Sequence, residues 1–322
     1  MAHLVETMAY AGEVPWHGLG TKVPADLSPE QMLEKAGLDW TVKKKPLFFM
    51  CNDQRMPVGN ANALVRSSEQ RSLTVVSNDW NPVQNHEAFS FFDDFVKAGD
   101  MQMHTAGSLK GGQIVWALAK VSDSFELFGG DQVDSFLLFT NPHEFGRSID
   151  VRFTPIRVVC NNTLTMSLNR NSDNHVRINH RNQFDAEAVK DMLGIAHVKL
   201  DGYKDLAQFL GSKKTSKESI VEYFNRVFPS MSYNLKAEEK QRKMNKEPMS
   251  RQAKEAVRTL ETQPGARFAK GSWWHAFNTV TYLTDHKLGR SADARLTSAW
   301  YGSNKNKKDK ALELAIEYAE AA

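Results

Sequence analysis

The chain turns from mainly strand-like to mainly helical hydrophobic spacing near Asn182, and that change does most to narrow its fold. Before it, apart from two helical stretches, apolar residues come in short β-branched and aromatic runs parted by turn formers; beyond it they recur at helical spacing. A doubly wound sheet needs strands and helices in alternation. The order found here instead predicts an α+β chain: mainly antiparallel β-sheet with a central helix in the N-terminal half, followed by a basic helical C-terminal half. The expected division is a sheet-rich core over 1–182 and a basic helical region over 183–322 packed on it. A length of 322 residues suits one large domain or a core with a satellite.

Local signals place the elements. Val14–Gly20 has too many glycines for an element and reads as an ordered arm. Ser28, with Pro29 in the first turn and Gly37 as the stop, predicts a helix. Strand runs follow at Trp40–Cys51, Ala61–Arg66 and Ser72–Ser77, with turns expected over Asn52–Asn60 and Ser67–Arg71. Phe89, Phe92 and Phe95/Val96 form an apolar stripe on a helix spanning Asn85–Ala98. Gln102–Leu109 and Gln113–Val121 read as a hairpin about Lys110-Gly111-Gly112, and Gln132–Thr140 and Asp150–Val159 add strands. Helices are expected at Asp185–Leu193, Gly202–Leu210, Thr215–Phe228 (capped by Thr215 and Glu218), Ser250–Thr262, Trp273–His286 behind Ser272, and Asp309–Ala319. Lys236–Lys254 reads as a solvated helix or a mobile basic loop.

Several function classes lose support at this level. No run approaches the ~18 apolar residues of a membrane span, and no basic region with an apolar run opens the chain, so a soluble, cytoplasmic protein is expected. The two cysteines, Cys51 and Cys160, have no metal-ligand spacing and read as reduced, buried thiols. His175 and His180 lie five apart on an alternating run, so they would point to opposite faces. Phosphate-cradling loops, HExxH and GxSxG are absent from the sequence, so no cofactor, metal or catalytic residue is assigned. Cys160, His175 and Asp150 are the only polar candidates close in sequence for an enzyme acting on nucleic acid.

Charge carries more information. Residues 1–150 hold 12 Lys and Arg against 19 Asp and Glu, a balance of −7; residues 151–322 hold 29 against 19, or +10. Arg147, Arg152, Arg157, Arg170, Arg177 and Arg181 share one stretch with only Asp150 and Asp173, interleaved with asparagines. Guanidinium forks bind phosphate bidentately, and amides serve sugar and phosphate oxygens. Arg147, Arg152, Arg157, Arg177 and Arg181 are therefore candidate phosphate contacts, with Lys213, Lys214, Arg242 and Lys243 as outer ones. The bland reading is a half-exposed strand and soluble helix surfaces. Lys305–Lys310 forms a further basic cluster. The aromatic group Trp273, Trp274, Phe277 and Tyr282, with Trp300, reads first as a core stripe and second as a base-stacking platform.

Several motifs resemble one family: Gly18-Leu-Gly20, Ala36-Gly-Leu-Asp39-Trp40, Trp80-x-Pro82-Val-Gln84-Asn85-x-Glu87-Ala88-Phe89, Thr105-Ala-Gly107-Ser108, Gly112-x-x-Val115-Trp116-Ala117, Pro155-x-Arg157-Val-Val-Cys160-x-Asn162-Thr163-Leu164 and Trp274-x-x-Phe277-Asn278-x-Val280-Thr281. They are similar to the phage- and plasmid-like proteins grouped as domain of unknown function 932, over nearly the whole chain. The resemblance implies a setting of DNA metabolism or host conflict and carries over no catalytic residues. The element order is also similar to that of the phage single-strand annealing recombinases of the RecT, Erf and Red-beta type, an architectural likeness only.

The expected function is single-stranded DNA binding in the service of strand annealing, without bond chemistry. The acidic and basic halves would favour head-to-tail homo-oligomers, rings or filaments. The alternative is a host-conflict or regulatory protein whose acidic half binds a host protein such as a nuclease or restriction component.

Overall fold

The computed structural model describes residues 5–12, 19–157, 162–163, 175–181, 184–230, 249–291, 294–295, 298–299 and 302–321. The chain is α+β with mostly antiparallel sheets, as its period change implies. Its contacts divide into two compact units. The first takes in Met1–Asp123, Ser135–Thr154 and Asn171–His197; the second takes in Ser124–Asp134, Pro155–Arg170 and Val198–Ala322.

The first unit contains most of one large sheet. Strands β1 (Val5–Ala11), β2 (Thr21–Val23), β6 (Met101–Leu109), β7 (Ile114–Leu127), β8 (Asp131–Pro142) and β9 (Ile149–Arg157) lie in the order β2-β1-β6-β7-β8-β9, and β11 (His175–Ile178) adds to β9. Only the β1–β2 pair described for this sheet is parallel. Both of those strands escape the sequence reading, because β1 lacks strict alternation and β2 is three residues long. The predicted β6–β7 hairpin forms, with Leu109 opposite Ile114 and positive φ at Lys110, Gly111 and Gly112. Gly107 of β6 lies opposite Met8 and Trp116, where a Cβ would come within 2.4 Å of the Thr7 carbonyl oxygen and the Trp116 ring.

Helix α1 (Pro29–Lys35) starts as expected: Ser28 Oγ accepts from the Gln31 amide while Gln31 Oε1 accepts from the Ser28 amide, a reciprocal cap. The helix expected over Asn85–Ala98 is broken into α2 (Asn85–Ser90) and α3 (Asp93–Ala98). Of the expected stripe, Phe89 and Phe92 are buried while Phe95 and Val96 are only half-buried, and Phe91, outside the stripe, is buried beside them.

A second, three-stranded sheet joins β3 (Val42–Cys51), β4 (Gln54–Arg66) and β5 (Ser72–Val76). Here the expected turn over Asn52–Asn60 is corrected. Only Asn52 and Asp53 turn, both at positive φ, and β4 begins at Gln54. The segment resembles a loop in composition because the ribbon it builds is exposed on both faces, so nothing forces apolar-polar alternation on it. Cys51, expected to be buried, is an exposed free thiol at the end of β3.

The second unit is largely helical. In it, β10 (Asn162–Thr163) pairs with the end of β9. The two helices expected over Asp185–Leu210 are one helix, α4 (Ala186–Ser212), running through Gly202, whose Cα faces open space. Helix α5 (Lys217–Val227) is capped by Ser216 rather than Thr215, its Oγ accepting from the Ser219 amide. Then come α6 (Arg251–Thr259), α7 (Trp273–Tyr282), a π-helical turn at Leu283–Lys287 and α8 (Ser303–Glu320). Ser250 and Ser272 cap α6 and α7. Among the described residues no helix is long and apolar enough to cross a membrane.

Candidate nucleic-acid interface

Strand pairing decides which arginines meet. In the antiparallel β9–β11 pair, Val151 lies opposite Val176 and Ile149 opposite Ile178; Ile149, Val151, Phe153 and Val176 are buried and form the core row. The alternate row holds Asp150 opposite Arg177 and His175 opposite Arg152. Asp150 lies between two guanidiniums, 3.5 Å from Arg152 Nε and 3.7 Å from Arg177 Nε. The Arg177 side chain keeps 66% of its surface in water, while that of Arg152 keeps 19%. Arg181, also exposed, follows in the turn after β11, where its carbonyl accepts from Asn81 Nδ2.

The remaining candidates separate. Arg147 Nε is 2.6 Å from Glu144, whose carboxylate also meets Lys110. Arg157 belongs to the second unit and pairs through its backbone with Asn162; its side chain lies outside the described residues. Lys213 and Lys214 also belong to the second unit. There Lys214 Nζ donates to the Lys270 carbonyl at 2.6 Å, and the Lys213 carbonyl accepts from the Trp273 amide. Arg242 and Lys243 lie outside the described residues, as do Arg170, Cys160 and Trp300. The His175 side chain also falls outside them.

Two sequence expectations about the second unit are refined. Trp273 and Trp274 are packed, at 2% and 1% exposure, Trp273 stacked on Tyr318 and Trp274 set against Phe128, Tyr203 and Phe277. These rings are core and cannot receive a base. The basic cluster Lys305–Lys310 forms the first turns of α8, and much of it is committed to packing. Lys308 is buried against Asp285 at 2.9 Å, Lys305 pairs with Asp309, and Lys310 donates to the Arg226 carbonyl. Burial lowers the Lys307 and Lys310 ammonium groups below the usual lysine range.

A basic stripe that sequence reasoning only counted does reach solvent. On α6, Ala253, Ala256 and Thr259 are buried while Arg251, Lys254 and Arg258 are exposed. Their i, i+3, i+7 spacing sets the three cations on one helix face, and that spacing was the available signal.

The first unit also buries a polar cluster. Asn85 Nδ2 donates to the carbonyls of Leu38 and Trp40, which leaves its Oδ1 to accept from His143 Nε2 at 3.0 Å. The Trp40 ring lies against His143 and under the Arg66 guanidinium, which pairs with Glu6. Burial, reinforced by His180 and Arg66, pushes His143 down to about 3. His180 stacks on Trp80 at 4.1 Å, and burial lowers it too. Gln84 bonds both the amide and the carbonyl of Val42 and so holds the start of β3. Trp40, Trp80, Gln84 and Asn85, all taken from the motifs, thus tie strands and helices together around a neutral imidazole. Among the described residues no group of three or more His, Cys, Asp or Glu is placed to hold a metal ion.

The chain belongs to the family described as Domain of unknown function (DUF932), whose model matches residues 72–300. That span contains β9, β11 and α4 to α7. No curated protein and no solved structure matches the chain.

Proposed function

We propose that the protein binds single-stranded DNA and that strand annealing is the activity this binding serves, in the phage or plasmid setting that the resemblance implies. The observation that supports it most directly is the β9–β11 register, which sets Arg152 and Arg177 diagonally on adjacent strands, on the row opposite the core row and on either side of Asp150, with Arg181 following in the next turn. Two guanidiniums on one face of adjacent strands can each meet a phosphate oxygen, and phosphate contact needs no bond chemistry. The exposed Arg251, Lys254 and Arg258 of α6 supply further positive charge in the second unit. Asp150 tempers both arginines, so affinity rests on several cations acting together.

Binding of a labelled oligothymidylate measured across a salt series tests this reading. Affinity should fall at least about tenfold between about 50 and about 200 mM salt, because each neutralised phosphate releases a counterion. An absence of binding at the lowest salt would remove the proposal.

A further inference from the structure

The ribbon of β3 and β4 presents a surface that the arginine row does not explain. The two strands pair from Val42 opposite Arg66 to Cys51 opposite Gln54, whereas β5 pairs with β4 only over Asn62–Val65. The far half is therefore a two-stranded ribbon with solvent on both faces. Phe48, Phe49, Met50, Met56 and Val58 are 42%, 51%, 67%, 42% and 38% exposed. Pairing divides them: Phe49 with Met56 on one face, Phe48 with Pro57 and Met50 with Arg55 on the other. Exposed aromatic and aliphatic side chains on each face of one ribbon mark a binding surface, since leaving them in water costs free energy that the fold does not recover.

Charge selects the occupant. Lys43–Asn60 holds Lys43, Lys44, Lys45 and Arg55 against the single Asp53, +3 within a half of the chain that totals −7. Lys43 and Lys45 are exposed at the base of the ribbon. The Arg55 guanidinium lies 3.7 Å over the Phe48 ring, which makes one flat cationic plate. Exposed rings interleaved with cations suit unstacked bases carried on a phosphate backbone, because every base offers a π-face whatever its sequence.

We infer that the β3–β4 ribbon is a base-stacking arm for single-stranded DNA, with Phe48 on one face and Phe49 on the other as the stacking rings and Lys43, Lys45 and Arg55 as its phosphate contacts. The inference rests on the proposed single-strand binding, and the experiment separates the two. Fluorescence anisotropy with a labelled oligothymidylate of about 30 nucleotides should show Phe48→Ala/Phe49→Ala weakening binding by about tenfold or more with the salt dependence unchanged, since no charge is removed. Phe48→Trp/Phe49→Trp should retain binding, and Lys43→Gln/Lys45→Gln should flatten the salt dependence. On the unaltered protein, saturating oligothymidylate should slow alkylation of Cys51 by iodoacetamide several-fold, read by peptide mass spectrometry at that cysteine. Wild-type binding that the alanine pair leaves intact, with Cys51 unprotected, overturns the arm and spares the proposed function. An alanine pair that lowers the oligomer mass by light scattering without touching DNA binding also overturns it and assigns the ribbon to contacts between copies. No wild-type binding at low salt overturns both.

Discussion

Buried ionisable groups set the conditions under which single residues matter. His143 has no counterpart in the charge pattern of the sequence. Its Nε2–H is held by Asn85, and among the described residues no partner meets Nδ1, so a proton added there would be buried without compensation. The sign of the pH effect follows. Above the ordinary histidine value of 6.5 the imidazole is neutral in folded and unfolded chains alike, and the stability its neutral form contributes is fully present. As pH falls from there toward about 3, the unfolded chain takes up a proton that the folded chain refuses, and stability declines by up to about 1.4 kcal/mol per pH unit. His180, also lowered by burial, adds to the loss with the same sign. Urea denaturation at a series of pH values between about 7.5 and about 4.5 should show this decline, and His143→Gln should reduce its slope while His180 keeps a remainder. An unchanged slope in the variant would place the acid sensitivity elsewhere. Lys308 teaches the same lesson about reading sequences. In a basic run it looks solvated, yet it lies buried on Asp285, a residue 23 positions away that no local pattern links to it.

At the scale of elements, two glycines make opposite predictions from the same substitution. Gly107 lies in the middle of β6 with the Thr7 carbonyl and the Trp116 ring where a side chain would go. Gly202 lies inside α4 with nothing within 4 Å of its missing Cβ. Gly107→Ala should therefore destabilise by about 1–3 kcal/mol or more through overpacking. Gly202→Ala should stabilise by about 1 kcal/mol, because alanine restricts the unfolded chain and favours the helix. Thermal unfolding of the two variants should shift the midpoint in opposite directions; a shift of the same sign would contradict the packing described for one of them. These glycines also show what was legible. Caps at Ser28 and Ser272 and the glycine hairpin after β6 are local chemistry and read directly from the sequence. The length of α4 was hidden because a glycine in open space interrupts a helical pattern without interrupting the helix. The ribbon was hidden for the converse reason: a strand exposed on both faces has no core row to impose a period on its residues.

For the molecule as a whole, summed charge pointed toward a polyanion, but its placement depended on pairing that no composition can reveal. Arg152 and Arg177 are 25 positions apart in sequence and become neighbours only through β9–β11 register, whereas Lys305–Lys310, contiguous in sequence, is drawn into packing. The same register brings Asp150 between the two arginines, and this allows a prediction of sign that simple charge counting shares but cannot localise. Asp150→Asn removes a carboxylate 3.5 Å and 3.7 Å from the two guanidiniums and so raises the positive potential of the row. Single-stranded DNA should then bind about three- to tenfold more tightly at low salt, with a steeper salt dependence, since each added phosphate contact raises the slope by about 0.7. Arg152→Gln/Arg177→Gln should weaken binding and reduce the slope by up to about twice that amount. Asp150→Asn in the double-glutamine background should return to no effect, because its benefit acts only through those two side chains. An Asp150→Asn protein that folds like the parent yet binds no more tightly would show that a bound strand does not lie along this row, whatever cations elsewhere contribute to its capture.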